Sequence, residues 1–116
     1  MPTPTNGEKS ATVALVGICV AKGGETKFKE KVVIRLKRVP KCWFFKTQLL
    51  ALIGIPDIIG CVNGRFFAWE LKVGRNTATK KQKLVLAMIR KAGGIGSVVK
   101  PEDLEEALSE LIKRCL

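Results

Sequence analysis

The chain reads as an α/β domain built on a mixed central sheet flanked by helices. Three observations predict it. Short β-prone runs and runs with helical periodicity alternate along most of the sequence. Two of the β-prone runs are joined by Asn63-Gly64, the strongest short-range signal for a two-residue hairpin. The length of 116 residues, 47% of them hydrophobic, suits one domain with one core.

The elements follow in order. Met1 to Ser10 carries Pro, Thr, Asn and Gly and reads as a loose tail. Ala11 to Val20 is apolar and rich in Val, which predicts a buried or interface strand. Ten residues are too few for a bilayer, which needs about 20, and the preceding segment is a poor signal-peptide start. After the break at Lys22-Gly23-Gly24, apolar residues at Phe28, Val32, Val33 and Leu36 predict a helix beginning near Glu25, with Pro40 beyond its end. Cys42-Trp43-Phe44-Phe45 is short, bulky and β-prone, and Gln48 to Gly54 is a connection. The hairpin then runs from Asp57 through Asn63-Gly64 to Lys72. Thr79 is placed to cap a helix reaching about Lys91, with Leu84, Val85, Met88 and Ile89 expected inward and Gly93-Gly94 stopping it. Ile95 to Val99 is a short strand. Pro101 opens a last helix, with Leu104, Leu108, Leu111 and Ile112 on one face and acids in its first turns.

Charge narrows the function. Lys and Arg number 21 against 10 Asp and Glu, a net charge of +11. A small domain this basic is expected to bind a polyanion. Between Lys9 and Pro101 the only acids are Glu25, Glu30, Asp57 and Glu70. Carboxylates kept inside a basic field need a reason, and metal binding is one. The chain has no His and no Tyr, which excludes His-based acid–base catalysis, Ser-His hydrolysis and Tyr-nucleophile chemistry. Cys19, Cys42, Cys61 and Cys115 lack the close pairs of a zinc site and read as reduced, mostly buried thiols of an intracellular protein.

The hairpin brings the acids together. A two-residue turn at Asn63-Gly64 sets Val62 opposite Arg65, so Asp57 lies opposite Glu70 on one face. Side chains alternate along a strand, so Lys72 joins them. The flanking residues are apolar on both faces, which predicts central, buried strands. Two opposed carboxylates there repel, and burying them is costly unless they are paired or bound to a cation. Lys72 could answer this as an ordinary salt bridge. A hard divalent cation answers it too, since magnesium takes one or two carboxylates plus phosphate and water.

At these residues the sequence resembles a family. Gly54-Ile-Pro-Asp57, the hairpin Cys61-Val-Asn-Gly-Arg-Phe66, and Trp69-Glu-Leu-Lys72 are similar to the PD-(D/E)XK nuclease signature, and more narrowly to stand-alone VRR-NUC domains of phages and bacteria. The resemblance runs from about Glu25 to Val99, so residues 1–24 form a tail with an extra strand and 25–116 the nuclease-like domain. It implies a restriction-endonuclease-like fold, magnesium (with manganese able to substitute), metal binding by Asp57 and Glu70, and Lys72 as the catalytic lysine. It also implies a metal-proximal Glu on the first helix, which Glu25 fits better than Glu30, and a site-proximal Gln, which is Gln82. Leu86 stands where wider relatives carry Tyr, so that extension of the motif is incomplete. Lys46, Arg75, Lys80, Lys81 and Lys83 are the basic residues expected on DNA phosphates.

The resemblance implies a structure-specific DNA endonuclease, cutting branched DNA such as Holliday junctions as a homodimer, and the expected setting is the cytoplasm of a bacterium or phage-infected cell, away from membranes. Two alternatives stay open: a restriction-like or general repair nuclease of the same fold, and a nucleic-acid-binding module with a structural carboxylate pair.

Overall fold

A computed structural model describes residues 24–47 and 53–116. The tail, the strand expected at 11–20 with its interface role, Cys19 and most of the 48–54 connection lie outside the described residues, as does the boundary drawn at 24. Within them the order is α1 (Gly24–Lys37), β1 (Cys42–Lys46), β2 (Ile58–Val62), β3 (Arg65–Leu71), α2 (Lys80–Lys91), β4 (Ile95–Val99), a 3-10 turn (Pro101–Asp103) and α3 (Leu104–Cys115). The strands form one mixed sheet in the order β1-β2-β3-β4. β1 and β3 run antiparallel to β2, and β4 runs parallel to β3. This is the expected α/β fold, a mixed sheet flanked by helices.

The hairpin register is the expected one. Val62 pairs with Arg65 and Ile58 with Trp69. Asn63 and Gly64 both take positive φ, at 50° and 84°. That is the backbone of the twisted two-residue turn, which Asn tolerates and Gly adopts without steric cost.

One face of the sheet carries the core. Ile58 and Val62 of β2, Phe67, Trp69 and Leu71 of β3, and Ile95 and Val99 of β4 bury against Phe28, Val32 and Leu36 of α1 and Leu104, Leu108 and Leu111 of α3. Phe67 and Trp69 meet edge to face at a centroid distance of 5.7 Å, a favoured aromatic geometry. α1 ends before Pro40, as expected, with turn bonds from Arg38 and Val39 back to Arg35 and Leu36.

Four expectations need correction. First, Val85 and Ile89 of α2 are half-buried, but its fully buried residue is Leu86, while Leu84 and Met88 are more than half exposed. The reason lies across the sheet: Gly96 lets the α2 backbone come so close that a Cβ there would lie 2.9 Å from the Leu86 carbonyl. Second, burial on both faces holds for β3 from Phe67 to Leu71 but not for β2, whose Ile59 and Cys61 are half-buried, and on that second face Trp43 and Phe45 of β1 and Phe66 at the start of β3 are exposed. Third, Ile112 is exposed and Pro101 opens a 3-10 turn, the α-helix starting at Leu104. Fourth, Cys42, Cys61 and Cys115 are half-buried; all three are free thiols.

Candidate active site

The site forms where the hairpin strands meet the start of α2. Asp57 stands one residue before β2, and its position matters to the ladder. Its carboxylate Oδ2 accepts the backbone N–H of Leu71 at 2.8 Å. Its carbonyl accepts the N–H of Thr47 at 2.8 Å, and the Thr47 hydroxyl donates to the Pro56 carbonyl. The Pro56-Asp57 step is thereby anchored on two neighbouring strands, with one carboxylate oxygen already committed.

Glu70 lies on β3, on the face opposite the aromatic core, and is 3% exposed. Its Oε2 faces the Lys72 ammonium at 3.4 Å and accepts from the Gln82 amide at 3.2 Å. Its Oε1 is buried with no hydrogen-bond partner among the described residues. A buried carboxylate oxygen without a partner is costly. Burial first, then the Asp57 charge and a side-chain hydrogen bond with Asp57, raise the Glu70 carboxyl to about 7, with Lys72 partly offsetting the rise.

Gln82 does two things at once. Thr79 and Gln82 form a capping box: the Gln82 N–H donates to the Thr79 hydroxyl at 3.1 Å, and the Thr79 N–H donates to the Gln82 side-chain oxygen at 2.8 Å. With its oxygen held by the cap, the Gln82 amide turns its NH₂ toward Glu70. The helix packs its first turns beside the Gly54-Ile-Pro-Asp57 loop, where a Cβ at Gly54 would lie 2.6 Å from Lys81 Cγ and 3.3 Å from Val85.

Asp57, Glu70, Lys72 and Gln82 are thus brought together. Glu25 is placed differently. It is exposed and pairs with Lys29 at 3.4 Å, one helical turn on, and Lys29 reaches Asp57 Oδ1 at 3.9 Å. Among the described residues no group of three acids, cysteines or histidines is arranged to hold a metal. The structure therefore offers two adjacent carboxylates, Asp57 and Glu70, with Lys29 standing between Asp57 and Glu25. The sequence reading missed Lys29. Its spacing of four from Glu25 on the stripe of Phe28 and Val32 was the available signal. Glu30 is half-buried and its Oε1 has no hydrogen-bond partner among the described residues.

Comparison with known proteins adds little. No protein-family model matches the chain, and no curated protein matches it. A solved structure of Archaeoglobus fulgidus Hjc, a Holliday junction resolvase from an archaeal hyperthermophile, is similar at 13% identity. It covers 65% of this chain and 67% of that chain, with a TM-score of 0.47.

The basic residues expected on DNA differ in exposure. Arg75, Lys80, Lys81 and Lys83 are exposed, on the loop after β3 and the first turn of α2, whereas Lys46 at the end of β1 is half-buried. No described helix is long and apolar enough to cross a membrane.

Two carboxylates, one with an orphaned buried oxygen, fit a hard divalent cation completed by water and phosphate. Asp57 and Glu70 are the residues that would hold it. Such a cation would polarise a phosphate oxygen and acidify a bound water.

Proposed function

We propose that this chain is a divalent-metal-dependent DNA endonuclease related to the VRR-NUC branch of the PD-(D/E)XK nucleases, acting on branched DNA such as Holliday junctions. The observation that carries the reading is the buried Oε1 of Glu70, without a hydrogen-bond partner among the described residues and adjacent to Asp57 and Lys72, in a chain of net charge +11. A nucleic-acid-binding module would gain nothing from burying the Glu70 carboxylate beside a second acid at its basic surface.

In this reading each residue has a separate task. Asp57 is held by the Leu71 N–H, so its orientation does not depend on a ligand. Gln82 holds Oε2 of Glu70 and leaves Oε1 for magnesium or manganese. Lys72, on the same face as Glu70, supplies positive charge where a scissile phosphate gains negative charge, or orients the attacking water. Arg75, Lys80, Lys81 and Lys83 hold phosphates on either side, giving affinity without sequence selectivity. Glu25 joins the metal set only if it leaves Lys29.

A symmetric four-way junction has two strands to cut, and two copies related by a two-fold axis would supply two sites. The exposed Trp43, Phe45 and Phe66 offer apolar surface for such pairing. The protein would work inside the cell, where branched DNA and reduced thiols both belong.

The deciding experiment is one gel. Four-way junction, nicked, flapped and linear duplex DNA are each incubated with EDTA, magnesium or manganese. Cleavage only with metal, strongest on the junction, is the expected result. Metal-independent binding with no cleavage on any substrate would return the chain to the binding-module reading, and equal cleavage of linear duplex to a general nuclease. Sedimentation of the protein free and on junction DNA tests the pairing: a monomer in both states removes the paired-incision model.

A further inference from the structure

Lys29 is the residue at the site that the nuclease reading leaves without a role. It projects from the second turn of α1, with its side chain three-quarters buried at 25% exposure. Its ammonium lies 3.4 Å from Glu25 Oε1 and 3.9 Å from Asp57 Oδ1. It therefore bridges two carboxylates on different elements, one on the helix and one at the strand entrance. Lys72 stands in a different relation, 3.4 Å from Glu70 Oε2 on its own strand.

The division of the oxygens is informative. Asp57 Oδ2 is used by the Leu71 backbone and Oδ1 faces Lys29. Glu70 Oε2 is used by Lys72 and Gln82, and Oε1 is left over. Among the described residues the buried oxygen of this acid cluster without a hydrogen bond is thus on Glu70, whereas the Asp57 oxygen toward Glu25 faces Lys29. The Glu25–Asp57 side already has a cation, made of protein. A divalent ion placed there would have to displace or tolerate that ammonium, and like charges a few ångströms apart repel strongly in a partly buried site.

We propose that Lys29 takes the place of a second metal ion: the chain binds one divalent cation, at Asp57 and Glu70, and the Lys29 ammonium supplies the fixed positive charge between Glu25 and Asp57. This rests on the nuclease reading and deepens it by setting the metal count. Glu25 then acts as a positioning residue for Lys29. A permanent ammonium also orders the Asp57 side of the site before metal arrives, which lowers the repulsion between the acids in the metal-free protein.

The test reads metal binding rather than cleavage. Manganese is titrated into the full chain, free of DNA, and followed by calorimetry and by the loss of the free-ion paramagnetic resonance signal. The expected stoichiometry is about one ion per chain for the wild type, the usual number of carboxylates being enough for one ion. Lys29→Met should raise it to about two, because Glu25 and Asp57 then face each other without a cation. Lys29→Gln provides a second neutral variant should the methionine fail to fold, and Lys29→Arg, which keeps the charge, should hold the count at about one. Adding Glu25→Gln to Lys29→Met should return the count to about one. Two ions on the wild type, or one ion on every folded neutral variant, overturns the proposal. A wild type that takes up one ion and cleaves DNA, with neutral variants unchanged, defeats the role of Lys29 alone. A wild type that takes up none and cleaves nothing defeats the nuclease reading with it.

Discussion

The two faces of the sheet are made from the same strands and are opposite in character. The face toward α1 and α3 is aromatic and aliphatic throughout, with Ile58, Phe67, Trp69 and Leu71 all at most 2% exposed. The face toward α2 holds Asp57, Glu70 and Lys72 at one end and leaves Trp43 and Phe66 exposed at the other. On the first face every position is satisfied by packing, so its residues are explained by stability alone. On the second face Glu70 keeps a buried oxygen with no hydrogen-bond partner among the described residues, and burial helps raise its pKa to about 7. Stability does not explain such a group, because a glutamine or an apolar residue of similar volume would cost less there. Comparing the faces separates what holds the domain together from what it is for.

The largest expected effect is on the acidic end of the second face. Asp57→Asn, Glu70→Gln and Lys72→Ala should each reduce metal-dependent cleavage by about a thousandfold or more, while affinity for junction DNA in EDTA changes little. Single-turnover cleavage and gel-shift assays on the same preparations check both halves. A folded variant that still cuts would remove that residue from the chemistry.

The next effect contrasts two tryptophans. Trp69 is 1% exposed and Trp43 is 59% exposed. Trp69→Ala should cost about 3–5 kcal/mol of stability through lost burial and a cavity, and Trp43→Ala about 0.5 kcal/mol or less in the isolated chain. Urea unfolding of both decides it. A large loss at Trp43 would mean that its face is covered in solution, which sharpens the comparison in favour of an interface.

A smaller effect follows from Glu70 itself. Folded, its carboxyl keeps a proton up to about 7, whereas the ordinary value is 4.5. Between those limits the folded state binds more protons than the unfolded, so the group's contribution to stability falls as pH rises through that window. The metal-free protein should therefore melt at a lower temperature at pH 8 than at pH 6, and Glu70→Gln should flatten the difference. Manganese should restore stability at pH 8, since it replaces the proton. Melting curves that keep the same pH slope in Glu70→Gln would show that another group is responsible.

The smallest effect is on phosphate contacts. Substituting Lys80 and Lys81 by alanine should weaken binding to all DNA sequences alike and reduce the slope of log affinity against log salt by about 2. An unchanged slope would move the DNA path off the start of α2.

Much of this was readable in the residues. Asn63-Gly64 set the hairpin register from Val62–Arg65 to Ile58–Trp69, and so brought Asp57, one residue before β2, to the end of the hairpin that holds Glu70, because turn geometry and the two-residue alternation of a strand are local rules. The capping box at Thr79 and Gln82 was legible as a helix start for the same reason. The face of α2 was not. Leu84, Val85, Met88 and Ile89 make as good an apolar stripe as the one centred on Leu86, and the choice was made by Gly96 on a strand that follows the helix. Nor was the exposure of Trp43 and Phe45 legible, since a bulky β-prone run looks alike whether or not a helix covers it.

From the sequence alone came the α/β order, the hairpin, the basic field and the candidate acids Asp57 and Glu70, all of which rest on neighbours within a few residues or on composition. Only the tertiary structure decided which oxygens those acids have left. Leu71 takes one from Asp57, Gln82 and Lys72 share one on Glu70, and Lys29 stands between Asp57 and Glu25. Hydrogen bonding is settled atom by atom across elements far apart in the chain, and no local pattern records which partner reaches an oxygen first.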